Sequence, residues 1–260
     1  MRIVVLAKPV PDTTGQERLG PDLRVDRVGV PAVVNANDEY AIEAALKLVE
    51  AAGEGEVTLL AMAPAGAPET LRKALAMGAH RAVLITDPAL GGSDTLTTVR
   101  VLAAALRRLE YDLVLAGADT SDGGGGVVAA GIAVTLGLPY LSYAAKIEPS
   151  SGRVVVHRLS AAGYDQLEAG LPALVVATQA LGEPRYPSLK GIMAARSKEI
   201  LTWSLAALEL GDEPVGGAAT TTAVVETHAP PARAATRVVR GPAADAAAEV
   251  VAFLAERRLI

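Results

Sequence analysis

Residues 112–136 read DLVLAGADTSDGGGGVVAAGIAVTL, and the reading of this stretch decides the fold. Asp112–Ala116 is an apolar run of strand length, and the apolar segment ending at Leu136 is long enough for a helix. Between them lies Gly117–Val128, with four consecutive glycines at Gly123, Gly124, Gly125 and Gly126. Glycines let the backbone approach a ligand, and a helix N-terminus presents free N–H groups to an anion. The order strand, glycine loop, helix therefore describes a phosphate cradle that runs on into Val127 and Val128. It follows neither G-x-x-x-x-G-K-[ST] nor G-x-G-x-x-G. Asp119 and Asp122 put negative charge beside it, so a second reading stands: a turn in which Asp122 caps the helix.

The same alternation extends upstream. Ile3–Ala7 is a continuous apolar run, as expected of a strand buried on both faces, and Lys8–Asp12 stops it with two prolines. Thr13–Gly29 reads as a long excursion or small hairpin, and such a loop in a compact domain usually covers something. Asn37 is the expected N-cap of a helix whose core face is Ala41, Ala44, Ala45 and Leu48, closed by Gly53–Gly55. Glu56–Ala63 and Arg81–Thr86 are further strands, separated by a helix over Pro68–Met77. Ser93-Asp94 caps a helix presenting Leu96, Val99, Leu102, Ala103 and Leu106. Strands alternating with helices predict right-handed crossovers and an α/β fold with a doubly wound, mostly parallel sheet. Ligands in such sheets bind beyond the carboxyl ends of the strands, near the switch point. That singles out Leu6–Lys8, Asn35–Asp38 with Met62, and the glycine loop.

Composition narrows the function. Half of the 260 residues are apolar, aromatics are few, and the formal charge of −5 argues against a nucleic-acid binder. The absence of cysteine rules out disulfides, thiolate metal ligands and thiol chemistry. His80, His157 and His228 fall at no metal-ligand spacing. No nucleophile is paired with a base, so no catalytic set emerges. No run approaches membrane-span length and no signal-peptide core is visible, which gives the expectation of a soluble, cytoplasmic protein.

The second half changes character. Tyr140–Ile147 and Arg153–Arg158 flank Glu148-Pro-Ser-Ser-Gly152, a strong hairpin signal, and Leu171–Ala177 is another strand. Consecutive strands predict an antiparallel extension of the sheet. Trp203–Arg240 loses all periodicity and reads as an arm, after which Gly241-Pro242 opens a helix over Ala243–Arg257. The expected division is an α/β domain over 1–202 and an arm with its helix over 203–260. That helix either wraps a partner or folds back on its own domain.

Between these parts lies Glu183–Ile200, EPRYPSLKGIMAARSKEI. Pro184 and Pro187 stiffen it, and Leu189 stands out as an apolar tip with Ile192, Met193, Arg196 and Lys198 behind it. Such a tip either docks a partner or tucks back into the core. The pattern E-P-R-Y-x-x-L-x-x-I-M-x-A over Glu183–Ala195 resembles the recognition loop of the electron transfer flavoprotein β subunit family. The similarity runs from Met1 to about Leu201. The resemblance implies a heterodimer with an α subunit that holds most of an FAD, and a structural AMP in this chain. It implies adenosine contacts at Leu6, Asn35, Ala36, Asn37, Asp38 and Met62, with the phosphate in Gly117–Val128. Partner docking then falls to Glu183, Pro184, Arg185, Tyr186, Leu189, Ile192 and Met193. Electrons would pass from acyl-CoA or other flavin dehydrogenases, as in fatty acid oxidation, to an acceptor such as a quinone oxidoreductase. Arg158 matches an arginine lying toward the subunit interface, and Thr13 stands where an aromatic lies beside the flavin. Two alternatives remain: a bifurcating flavoprotein with a second FAD in place of AMP, and a stand-alone universal-stress-type nucleotide-binding module.

Overall fold

In a computed structural model describing residues 1–12, 14, 18–211, 213–228 and 236–260, the chain alternates strands and helices as far as Leu136. The first half contains β1 (Arg2–Leu6), β2 (Pro9–Pro11), β3 (Ala32–Val34), α1 (Ala36–Ala52), β4 (Glu56–Met62), α2 (Pro68–Ala76), β5 (Arg81–Ile85), α3 (Thr95–Leu106), β6 (Leu113–Gly117) and α4 (Val128–Leu136). The second half adds β7 (Tyr140–Ser150), β8 (Arg153–Ser160), β9 (Gly163–Gly170), β10 (Ala173–Ala177), α5 (Leu189–Ala195), β11 (Ile200–Trp203) and α6 (Ala243–Glu256).

A nine-stranded sheet in the order β11-β5-β4-β1-β6-β10-β7-β8-β9 forms the frame. All pairings from β11 to β7 are parallel, and only β7-β8-β9 is antiparallel. The chain winds outward from β1 through β4 and β5, then returns by α3 to β6 on the other side of β1. The switch point therefore lies between β1 and β6, where the topology predicts a crevice.

Alternate side chains of each parallel strand enter opposite cores. Ile3 and Val5 join Ala41, Ile42, Leu71 and Leu75 beneath α1 and α2. Val4 and Leu6 join Val99, Leu102, Leu106 and Ile132 beneath α3 and α4. This burial on both faces accounts for the unbroken apolar runs in the sequence. Small residues allow close layering: a Cβ on Gly131 of α4 would lie 2.6 Å from Val99 of α3.

Several expectations need correction. The stop after β1 is itself a strand, because Pro9–Pro11 pairs with Ala32–Val34 in a separate antiparallel ribbon. Helix α1 starts earlier than expected: Asn35, not Asn37, is the N-cap residue, and it makes no side-chain cap bond. Leu96 is exposed because it lies on the outer face of the first turn of α3. The run from Leu171 is not part of the antiparallel extension: β10 inserts between β6 and β7, parallel to both. The extension gains a third strand, β9, at the outer edge.

The chain forms two units, Met1–Val224 and Val225–Ile260. The larger reaches beyond the expected boundary at 202. Leu208 is buried, the Thr220 hydroxyl donates to the Gly92 carbonyl at 3.0 Å, and Arg100 pairs with Glu213 at 2.5 Å. The smaller unit holds α6, none of whose residues is buried, with Arg237 paired to Glu249 and Arg257 over the Phe253 ring.

Candidate functional site

At the switch point three chain segments meet on one side chain. The Asp38 carboxylate, buried in the first turn of α1, accepts the Lys8 N–H from the end of β1 at 2.8 Å. It also accepts the Gly117 N–H at the end of β6. Only glycine fits at 117, because a Cβ there would lie 2.5 Å from the Asp38 carboxylate. Desolvation pushes Asp38 up to about 7, against the opposing pull of these hydrogen bonds and of the Lys8 ammonium.

Asn35 holds the loop that follows. Its buried side chain donates to the Asp119 carbonyl at 2.8 Å and accepts the Ser121 N–H at 3.2 Å. This pair of bonds mimics a strand edge and explains why Asn35 leaves its own helix uncapped. Asn37 donates to the Asp119 carboxylate, so the asparagine expected to cap α1 serves the glycine loop instead.

Asp122 does not cap α4; the N-cap position is Val127, without a side-chain bond. The Asp122 side chain is 1% exposed and is paired with Lys8 Nζ at 2.9 Å and with Arg27. Burial alone would raise this carboxyl, but the hydrogen bonds from Lys8 and Arg27 outweigh it and hold it below the ordinary range. The negative charge that the sequence sets against a phosphate is therefore neutralised in part from two sides. Arg27 reaches Asp122 of the loop from the excursion after β2.

The glycines themselves stay open. Gly124 N–H donates to the Thr120 carbonyl at 2.7 Å, closing a turn, while Gly123–Val127 remain exposed. Gly124 and Gly126 adopt φ of +56° and +62°, and a Cβ on Gly124 would meet nothing within 4 Å. The first N–H groups of α4 lack intrahelical partners and face the same loop. Leu6 and Met62 stand at the carboxyl ends of β1 and β4, adjacent in register to this crevice. The structure thus brings Asn35–Asp38 and Gly117–Val128 to one rim, with Leu6 and Met62 at the ends of strands β1 and β4. Lys8 and Arg27 belong to it too. Lys8 was visible as a lone cation directly after a buried strand, but nothing local marks Arg27.

A second surface lies on the Glu183–Ala195 segment. Tyr186 is 96% and Leu189 78% exposed, with Ile192 and Met193 also exposed. Leu189 does not tuck into the core; it opens α5, whose N-cap Ser188 accepts the Gly191 N–H at 3.0 Å. Glu183 and Pro184 lead into this tip. Arg185 turns the other way, onto Glu43 and Glu50 of α1. Lys198 is also no part of a surface cluster, since its ammonium caps the Leu75 and Ala79 carbonyls at 3.0 and 2.6 Å. Arg158 on β8 pairs with Asp165 on β9 at 2.7 Å, and Thr13 lies outside the described residues.

Among the described residues no group of His, Asp and Glu is placed to hold a metal, and no helix is long and apolar enough to cross a membrane. The site can bind and position an anion-bearing ligand, and the tip can bury apolar area against a partner.

The chain is similar to known proteins over its whole length. Residues 22–208 match the family model described as the electron transfer flavoprotein domain. The electron transfer flavoprotein subunit beta of Thermoanaerobacterium thermosaccharolyticum is 37% identical over 262 residues, covering 100% of both chains. That of Mycobacterium tuberculosis is 38% identical over 264 residues, covering 99% of each. The caffeyl-CoA reductase-Etf complex subunit CarD of Acetobacterium woodii is 37% identical over 263 residues, again covering 100% of each chain. With its nine-stranded α/β frame and these matches along its length, this chain belongs to the electron transfer flavoprotein β subunit family.

Proposed function

We propose that this chain is the β subunit of a heterodimeric electron transfer flavoprotein, in which it binds AMP and presents a docking tip to flavin dehydrogenases. The flavin, FAD held mostly by an α subunit, supplies the redox chemistry when bound. This chain's own residues position, bind and dock. The rim supports AMP because one phosphate can be held by backbone N–H groups at Gly125–Val128, with Asn35 and Asp38 fixing the loop from behind. Val127 and Val128 offer no polar side chain, so the phosphate relies on the backbone.

The observation that carries the docking part is the exposed row Tyr186, Leu189, Ile192 and Met193 on a segment fastened at both ends. Large apolar side chains left in water beside one another mark an interaction site. The electrons taken up would pass to an acceptor such as a quinone oxidoreductase.

A second reading places a further FAD where AMP would sit. It is favoured by the full-length match to a subunit named for a caffeyl-CoA reductase complex. One experiment separates the two. The complex co-expressed with an α subunit is denatured and its released nucleotides are identified by mass. AMP with one FAD supports the first reading, two FAD the second, and ATP from the chain alone would support a stand-alone nucleotide module instead.

A further inference from the structure

We infer that Arg185 is the positioning residue of the docking tip: its guanidinium locks the Glu183–Ala195 segment onto α1 and fixes the apolar row in the geometry that a partner meets. This inference rests on the docking reading given above. The clamp is dense. Arg185 Nε donates to Glu43 at 2.7 Å and Nη2 donates to it at 3.2 Å, while the Arg185 backbone N–H adds a third bond at 3.1 Å. Nη1 and Nη2 reach Glu50, about two helical turns on, at 2.5 and 3.0 Å. Glu43 is almost wholly buried on α1, flanked in sequence by Ile42 and Ala44. Burial alone would raise its carboxyl, and the Arg185 hydrogen bonds outweigh this and hold it low.

A carboxylate buried on an apolar helix face is costly unless it has a partner of this kind, and a planar fork suits two carboxylates better than an ammonium does. The next residue, Tyr186, points fully into solvent, so one peptide separates anchor from tip. The far end is fastened to α2. Gly191 packs so closely that a Cβ would lie 2.4 Å from the Ala76 carbonyl, and Arg72 donates to the Ala195 carbonyl at 2.7 Å. Between these anchors the tip is exposed yet held. A tip already ordered spares the ordering cost on docking, which is how an inward-facing arginine can act on affinity.

The test uses the intact α–β complex, with an acyl-CoA dehydrogenase reduced by its acyl-CoA as electron donor. Hydrogen exchange is measured by mass over residues 183–195. For R185A the amides of Tyr186–Ala195 are expected to exchange about tenfold faster, and KM for the complex to rise about tenfold with kcat and flavin content unchanged. R185K, a point charge without the fork, should fall between. Should R185A fail to fold, because Glu43 is left buried and unpaired, the double variant E43Q/R185Q removes both charges and should show the same loosening. Wild-type exchange and KM in a folded R185A or E43Q/R185Q complex would overturn the clamp. L189A is the separate control: if it leaves KM unchanged while R185A loosens the segment, the docking reading fails and the clamp stands as structure alone. Raised KM in both variants supports the inference.

Discussion

Asp38 concentrates the residue-scale chemistry. It sits at about 7 against an ordinary 3.8, mainly because burial disfavours its charge. Between those values the folded chain holds a proton that the unfolded chain has released. Stability from this group is thus fully present below about pH 4 and is lost as pH rises through about 7. Urea midpoints in the wild type should fall from about pH 4 to about pH 7 and level off above it, and Asp38→Asn should flatten that slope. The variant also loses static stability, since an amide turns one donor toward the Lys8 or Gly117 N–H, both of which need acceptors. A wild-type slope retained in Asp38→Asn would place the titration elsewhere. Leu189 behaves in the opposite way. Burying a leucine is worth about 1.5–3 kcal/mol, so Leu189→Ala should weaken docking by about tenfold or more. Its melting temperature should stay put because the side chain is in water already. Sequence revealed that these residues matter more readily than what they touch. Asn35 was placed in the site, yet capping was given to Asn37, because N-cap propensity is local and the competing acceptor, Asp119, lies 84 residues away.

Elements were legible wherever burial imposed a pattern. The parallel strands are buried on both faces and announce themselves as apolar runs; α3 announces itself through the Asp94 cap, whose carboxylate accepts the Thr97 N–H at 2.8 Å. Strand β9 did not, since Gly163–Gly170 is an edge strand with no fully buried residue, in which only Leu167 and Ala169 turn apolar side chains to the core. The direction of β10 was equally silent, because strand orientation depends on non-local pairing with β6. Helix α5 was hidden inside a proline-braced segment, yet its packing makes a sharp prediction. Gly191→Ala drives a Cβ to within 2.4 Å of the Ala76 carbonyl, a backbone atom that cannot step aside. Overpacking of this kind costs about 1–3 kcal/mol, or a fall of several degrees in melting temperature for a domain of this size. The same change at Gly66, where a Cβ meets nothing within 4 Å, should leave the melting temperature within about a degree. Equal effects at the two positions would show that α5 does not rest on α2 as described.

For the whole molecule, the decisive boundary is that between Met1–Val224 and Val225–Ile260, where the sequence pattern alone suggests a division at 202. The stretch after Trp203 is broken by Gly211, Pro214, Gly216 and Gly217 and has no helical or strand period, so it reads as a free arm. In the fold it is held by discrete polar bonds and a few apolar plugs, none of which needs periodicity. Leu208 enters the α3 core, Gly216 lies where a Cβ would be 2.0 Å from the Ala89 carbonyl, and the Thr221 N–H donates to Asp94. Two truncations therefore differ. A chain ending at Val224 retains every one of these contacts and should unfold with the midpoint of the full chain. A chain ending at Ser204 exposes the α3 face and should lose about 2–5 kcal/mol from the Leu208 site alone, the range for deleting a buried leucine. The unit from Val225 onward buries none of α6, whose Val250 and Val251 stay in water. If that unit is an intersubunit arm, the Val224 truncation should fold normally and yet co-purify poorly with an α subunit, with correspondingly little yellow flavin absorbance. A Val224 truncation that pairs as tightly as the full chain would remove the arm from the interface while leaving the larger unit's boundary untouched; one that fails to fold alone would overturn the boundary itself.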